Sequence, residues 1–179
     1  MELTILRHMQ TPYNEKGILQ GQRDIGILSP GPDQTKSIET NKEKLGDLTR
    51  FDFILLSSLR RTRETARLYT PDFLKEPLLD ELDFGHYEGR PKADLLREQP
   101  HWESDPRSLI LGEPLIALMD RVKAFADKYQ SSDRILAFGH GAWIRAMAAW
   151  HSTGSIKTMN QIYIPNNKMM QYKIQRRPK

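Results

Sequence analysis

The chain has 179 residues, and 27 Lys and Arg against 23 Asp and Glu give it a formal net charge of +4. This length suits one compact domain over residues 1–179, and mixed charges of both signs are ordinary for a soluble surface. Cysteine is absent, which excludes disulfides, thiolate metal sites and cysteine nucleophiles. No apolar run is long enough to span a membrane, and the first residues lack the pattern of a signal peptide. We therefore expect a cytoplasmic protein.

Short apolar runs alternate with longer amphipathic segments along the chain. In chain order the pattern predicts strand Leu3–Arg7, helix Gln34–Leu48, strand Phe51–Ser57, helix Thr62–Tyr69, helix Leu115–Tyr129, strand Arg134–Phe138, helix Trp143–Trp150, and strands Gln161–Ile164 and Lys168–Ile174. A turn at Pro165–Asn167 would join the last two strands as a hairpin. This alternation predicts an α/β fold, a three-layer sandwich with a mostly parallel central sheet flanked by helices.

Imidazole and guanidinium side chains follow three of the predicted strands. His8 comes directly after the first strand, Arg61 shortly after the second, and His140 after the strand that ends at Phe138. The carboxyl ends of parallel strands meet at one edge of a sheet, where ligands usually gather. Guanidinium groups match the oxygens of phosphate, and an unprotonated imidazole can attack phosphorus. The sequence therefore predicts a site for a phosphate dianion at this edge.

Taken singly, most of these residues also have an ordinary structural interpretation. A histidine at a strand end is usually a satisfied core group, although two glycines flank His140 and leave its ring unobstructed. Charge runs and loop carboxylates are usually solvated, which applies to Arg60, Arg61, Arg63, Arg67, Glu81 and Glu88. The spacing of His86, His101 and His151 matches no ligand pattern, so we interpret them as surface or capping residues and expect no metal site. The argument for function depends on the joint spacing.

Five short blocks of this chain occur in a characteristic order. They are Leu6–Thr11 with Asn14, Leu19–Asp24 with Gly31 and Gln34, Ser57–Thr62 with Thr65 and Ala66, Leu79–Glu81 followed by Phe84–Gly89, and Gly139–Gly141. From Leu3 to about Arg145 the chain thereby resembles the histidine phosphatase superfamily, in the branch of cofactor-dependent phosphoglycerate mutases and small broad-specificity phosphatases. One position departs from the family pattern. Met9 stands where the family normally has Gly, and a side chain there could crowd the phosphate or change the backbone angle.

The resemblance implies a role for each matching residue. It makes His8 the nucleophile that becomes a phosphohistidine, Glu81 the proton donor, with Glu88 as the fallback, and His140 a further hydrogen-bond donor to the phosphate. The phosphate ligands that it implies are Arg7, Thr11, Asn14, Gln20, Gly21 and Arg61. Because positive charge would take the place of a metal, we expect neither a metal nor another cofactor.

Hydrolysis of small phosphate monoesters is favoured over phosphoglycerate mutase-type transfer. A mutase must keep its phosphoenzyme dry, and only Arg90–Gly112 is available here as a lid. Within that segment, His101, Trp102 and Arg107 either shape the substrate or simply cover the core. A family member that binds phosphate with little or no turnover is a further alternative, motivated by Met9.

A nucleic-acid-binding protein is the most distant alternative. The basic tail Lys173–Lys179 and the sequence pI of about 9.3 motivate it. The chain lacks a recognisable reading element and interleaved stacking aromatics. We therefore expect a small phosphorylated substrate as the partner, with no nucleic acid and no membrane.

Overall fold

A computed structural model describes residues 1–175 of the chain, so the basic residues Arg176–Lys179 of the tail lie outside the described part. The described strands are β1 (Glu2–Arg7), β2 (Phe53–Leu56), β3 (Leu74–Lys75), β4 (Arg134–Gly139) and β5 (Met169–Lys173). They form a sheet in the order β3-β2-β4-β1-β5. Only the β1–β5 pair is antiparallel in this sheet. The prediction of a mostly parallel central sheet is confirmed.

Six α-helices within residues 1–175 surround the sheet: α1 (Pro12–Glu15), α2 (Pro32–Leu45), α3 (Arg60–Arg67), α4 (Lys92–Glu98), α5 (Leu115–Lys128) and α6 (Gly141–Thr153). Short 3-10 turns at Pro100–Trp102 and Pro106–Ser108 follow α4. None of the helices in this part of the chain combines the length and the apolarity that a membrane span requires.

Alternate side chains of each strand point to opposite faces of the sheet and form two apolar cores. On one face, Ile5 of β1 and Ala137 of β4 pack with apolar residues of α5 and α6. On the other face, Leu6 and Phe138 pack with residues of α2 and the α3 region. These two cores make the molecule the three-layer α/β sandwich that the sequence predicts.

The predicted hairpin of Gln161–Ile164 with Lys168–Ile174 is wrong. The first segment is a 3-10 turn at Met159–Gln161 followed by irregular chain, and β5 pairs with β1 instead. The irregular chain crosses the carboxyl end of β1, where the backbone carbonyl of Ile164 accepts a hydrogen bond from Arg7 Nη1. The backbone of this segment thus positions the Arg7 side chain and does not add a strand to the sheet.

Candidate active site

The register of the sheet brings the two predicted imidazoles together. In the parallel β1–β4 pair, Arg7 lies opposite Gly139, so His8 and His140 leave the sheet side by side. The centroids of their rings are 5.3 Å apart, with an angle of 57° between the ring planes. Strand β2 ends at Leu56 opposite Phe138, and α3 starts soon afterwards and carries Arg61 in its first turn. The predicted convergence of these side chains at one sheet edge is confirmed.

His8 is almost fully buried and is held in one orientation. Its Nδ1 donates a hydrogen bond of 2.7 Å to the backbone carbonyl of Met9, which leaves the lone pair of the neutral ring on Nε2. Burial, and then the charges of Arg61 and Arg7, hold the pKa of His8 well below its usual value of 6.5. The ring is therefore neutral at pH 7, and His8 lines a polar cleft at this edge of the sheet.

His140 and Arg61 are fully buried and are hydrogen-bonded to each other, and neither lines the cleft. Arg61 Nε donates to His140 Nδ1 over 3.1 Å, so the neutral ring carries its proton on Nε2 and donates to Ser57 Oγ over 2.6 Å. Burial and the charge of Arg61 keep the pKa of His140 well below 6.5. Both ring nitrogens thus have protein partners. Direct donation by His140 to a phosphate, as the resemblance implies, would require its Nε2–H to leave Ser57, or Nδ1 to gain a proton and release Arg61.

Arg61 also fixes the loop that follows α1. Its two terminal nitrogens donate to the backbone carbonyls of Gly21 (2.7 Å) and Arg23 (2.8 Å). Three of the five N–H groups of the guanidinium are thereby used, and two are left. Burial lowers the pKa of Arg61 to about 10, and the residue still stays charged at neutral pH.

Glu81 is buried at the amino terminus of α6. Its carboxyl oxygens accept hydrogen bonds from the backbone N–H of Ala142 (3.1 Å) and Trp143 (3.3 Å), the first residues of that helix after Gly141. These two hydrogen bonds fix the position of the carboxyl group. The Glu81 side chain lines the same cleft as His8.

The carboxyl of Glu88 braces a loop instead of facing the cleft. It accepts hydrogen bonds from the backbone N–H of Gln22 (2.7 Å) and Phe84 (3.3 Å). It also sits where a Cβ on Gly21 would be, and Gly21 has a φ of +51°. Glu88 is not among the residues that line the cleft, and the geometry therefore favours Glu81 as the proton donor.

The neutral ligands predicted around the phosphate fall into two groups. Asn14, Gln20 and Gly21 line the cleft, whereas Thr11 does not. Thr11 is the N-cap of α1, and its hydroxyl donates to Gln20 Oε1 over 2.9 Å. Asn14 Oδ1 accepts from the backbone N–H of Thr11 and from Asn166 Nδ2. These contacts turn the amide NH2 groups of Asn14 and Gln20 away from protein acceptors, so both can donate to a ligand.

The cleft encloses about 280 Å³ and contains residues that sequence reasoning missed. These are Lys92, Arg145, Tyr163, Ile164 and Asn166, whereas Trp102, which also lines the cleft, belongs to the predicted lid. Arg145 follows Gly141 by one helical turn on α6, and this i, i+4 spacing was the available signal for it. Trp102 combines both predicted roles, since it lines the cleft and belongs to the core. His101 is exposed, and Arg107 pairs with Asp105 at the surface.

Met9 points away from the cleft. Its side chain is 1 % exposed and packs in the core shared with Leu6 and Phe138. Its backbone N–H donates to Thr65 Oγ1 over 2.8 Å. Within residues 1–175, Asn167 is the only non-glycine residue with a positive φ, so Met9 has an ordinary backbone angle. The side chain that replaces the family glycine therefore leaves the space beside His8 open.

In the part of the chain that the structure describes, no group of three or more His, Asp and Glu side chains is arranged to hold a metal ion. His86 and His151, which we interpreted as surface residues, are exposed.

Comparison with known proteins agrees with this fold and this arrangement of residues. The family model of the histidine phosphatase superfamily (branch 1) matches residues 3–178. The chain therefore belongs to the histidine phosphatase superfamily, as the sequence blocks indicate.

Individual relatives point to more than one activity within that family. The chain is 30 % identical to "Putative phosphoserine phosphatase 2" of Hydrogenobacter thermophilus, with 92 % of this chain and 85 % of that protein covered. It is 29 % identical to "Probable phosphoglycerate mutase GpmB" of an Enterobacter species, with 79 % and 70 % covered. Its fold is similar to the solved structure of the alpha-ribazole phosphatase from Shigella flexneri. That match has a TM-score of 0.76 and 26 % identity, and it covers 97 % of this chain and 91 % of that one.

Proposed function

We propose that this protein hydrolyses small phosphate monoesters without a metal ion, through a phosphohistidine intermediate on His8. The observation that carries the proposal is the state of His8. Its Nδ1 is tied to the Met9 carbonyl, its ring is neutral, and Nε2 is left to attack within a cluster of cationic side chains. The names of the phosphoserine and alpha-ribazole phosphatases that the chain resembles support hydrolysis as the reaction class.

In the first step, Nε2 of His8 attacks phosphorus and the bond from phosphorus to the ester oxygen breaks. The imidazole gains positive charge as the new bond forms, and its Nδ1–H shares that charge with the Met9 carbonyl. Glu81 in its protonated form gives its proton to the leaving alkoxide, so the alcohol leaves neutral. In the second step, Glu81 takes a proton from water, which attacks phosphorus and releases inorganic phosphate and free His8.

The surrounding donors stabilise the phosphoryl oxygens during both steps. Arg7, Asn14 and Gln20 reach them directly from the wall of the cleft. Arg61 and His140 act from behind, where the fixed charge of Arg61 lies next to His8. Preorganised donors of this kind are each worth roughly 3–4 kcal/mol in a transition state. In this proposal positive charge from arginine supplies the stabilisation for which other phosphatases use a metal.

The assay for this proposal is hydrolysis of p-nitrophenyl phosphate by the purified chain in the presence of EDTA. We expect turnover that EDTA does not reduce and that His8→Ala abolishes. His101→Ala is the matched control, because His101 is exposed and does not line the cleft. Loss of activity in EDTA with recovery on added zinc or magnesium would contradict the metal-free mechanism. Interconversion of 3- and 2-phosphoglycerate at a rate above hydrolysis would identify the mutase alternative.

A further inference from the structure

The proposed proton donor lies in a segment without regular secondary structure. Residues 80–84, which include Glu81, form neither helix nor strand. Leu79 and Leu82 are fully buried on either side of Glu81, which is itself 8 % exposed. The backbone N–H and C=O groups of such a buried segment have no partners within a helix or a sheet, so groups from elsewhere must satisfy them. The side chains that bind this backbone therefore determine where the Glu81 carboxyl lies.

Arg121 on α5 binds the two carbonyls that flank the Cα atom of Glu81. Its Nη1 donates to the backbone carbonyl of Asp80 over 2.6 Å, and its Nη2 donates to that of Glu81 over 3.4 Å. The side-chain amide of Gln22 also donates to the Glu81 carbonyl. Because one of these carbonyls precedes the Glu81 Cα and the other follows it, holding both fixes the direction in which the side chain leaves the backbone.

Glu113 holds the guanidinium of Arg121 and binds the same segment. Its Oε1 lies 2.5 Å from Arg121 Nη2 and also accepts a hydrogen bond from the backbone N–H of Asp83 over 3.0 Å. The two charged side chains are 22 % and 20 % exposed, so solvent screens their attraction only in part. This ion pair thus contacts two carbonyls and one N–H within residues 80–83.

The ion pair acts on Glu81 through its backbone and not through the substrate. The Glu81 side chain lines the same cleft as His8, whereas neither Arg121 nor Glu113 lines it. The carboxyl oxygens of Glu81 are bound by the first N–H groups of α6, away from the carbonyls that Arg121 holds. A change at Arg121 would therefore reach the chemistry by moving the Glu81 carboxyl.

We infer that Arg121, held by Glu113, is a positioning residue for the proton donor, because it orients Glu81 so that its carboxyl faces the ester oxygen that leaves. This inference rests on the proposed function, in which Glu81 protonates the leaving alkoxide. A general acid must lie within about 2.6–3.2 Å of the atom that it protonates, and a displacement of about 1 Å can lower a rate by about 10²-fold.

The first test compares two esters that differ in their need for a proton. p-Nitrophenolate is a weak base that leaves without a proton, whereas the alkoxide from glycerol 3-phosphate requires one. We expect Arg121→Gln to lower kcat/KM about 10- to 100-fold for glycerol 3-phosphate and less than about threefold for p-nitrophenyl phosphate. Lys123→Gln is the matched control on the same helix, because Lys123 pairs with Asp120 instead, and it should leave both values unchanged.

Two further variants keep the test decisive if Arg121→Gln does not fold. Arg121→Lys keeps the charge but offers one nitrogen in place of the planar fork, so it should recover only part of the loss with glycerol 3-phosphate. Glu113→Gln has the same shape as the native side chain, and it should show the same selective loss to a smaller extent. Full activity in Arg121→Lys would overturn the geometric role of the guanidinium.

The second test adds Arg121→Gln to Glu81→Gln. A residue that acts through the Glu81 carboxyl has little effect once that carboxyl is absent, so we expect a further loss of less than about twofold with glycerol 3-phosphate. The same loss from Arg121→Gln with and without the Glu81 carboxyl would overturn the inference. So would equal slowing of both esters by an Arg121→Gln protein whose melting curve shows that it is folded.

The two tests also separate this inference from the proposed function. Selective slowing of the alkyl ester by Glu81→Gln, with equal slowing of both esters by Arg121→Gln, would contradict the positioning role alone. No selectivity in Glu81→Gln itself, or no turnover of either ester by the wild-type protein, would contradict the proposed function and the positioning role with it.

Discussion

The two buried imidazoles couple the stability of the fold to pH. His8 and His140 both have pKa values well below 6.5 in the folded protein, whereas the unfolded chain has ordinary values near 6.5. Below pH 6.5 the unfolded state therefore binds more protons than the folded state, and acid favours unfolding. The stabilisation is fully present above about pH 6.5 and is lost progressively as the pH falls toward the folded pKa values.

The size of this effect follows from the proton linkage. Between pH 7 and pH 5.5 each imidazole removes about 1 kcal/mol from the free energy of unfolding, so the pair removes about 2 kcal/mol. For a chain of this length that corresponds to a fall of roughly 4–8 °C in Tm.

Thermal unfolding in phosphate-free buffer at the two pH values measures this fall. The change His8→Asn removes one titrating ring and should reduce the fall by about half. A wild-type Tm that does not change between pH 7 and 5.5, or an unchanged fall in His8→Asn, would refute the reasoning.

Three further substitutions test the site. Met9→Gly should lower the free energy of unfolding by about 2–5 kcal/mol, because it leaves a cavity in the core. It should change kcat/KM only slightly. A gain in activity above tenfold would show that the Met9 side chain does crowd the phosphate. Glu81→Gln should slow hydrolysis of alkyl phosphates by about 10²–10⁴-fold and of p-nitrophenyl phosphate much less, whereas equal slowing of both would argue against proton donation. Gly21→Ala should raise KM and lower Tm, because its Cβ collides with the Glu88 carboxyl. Gly46→Ala is the control, because Gly46 has a similar positive φ and open space around it, so that this variant measures backbone strain alone. An equal loss of Tm in both variants would mean that the collision with Glu88 has no effect.

The sequence predicts an element correctly where its apolar residues recur with the period of that element and are buried in the folded chain. The helix starting at Leu115 and the strand starting at Arg134 have clear apolar periods, and both occur at the predicted starts. The helix predicted over Gln34–Leu48 is found at Pro32–Leu45, because Pro32 stands at its first turn and Gly46 ends it. The predicted strand Gln161–Ile164 failed because Ile162 and Ile164 pack in the core and Tyr163 lines the cleft, without pairing in a sheet. Two-residue strand β3 offers too short a pattern to recognise.

Only those site residues that belong to the spaced motifs could be predicted from the sequence. The spacing placed His8, His140, Arg61 and Glu81 together, and the structure brings them to one sheet edge. It could not show that Thr11 acts as a helix cap, since that depends on the backbone of α1. It also could not show that Lys92 lines the cleft, because Lys92 and Arg145 come from distant segments that only the folded chain brings to one cleft.

The most direct test of the account is to trap the phosphoenzyme. The protein is mixed with a phosphate ester labelled in the phosphoryl group and quenched in alkali, and its peptides are analysed for the label. We predict one phosphoryl group per chain, stable to alkali and labile to acid, on the peptide that contains His8, and none in His8→Ala. An enzyme that turns over the ester while the label is absent from His8, or lies on another residue, would contradict the proposed mechanism.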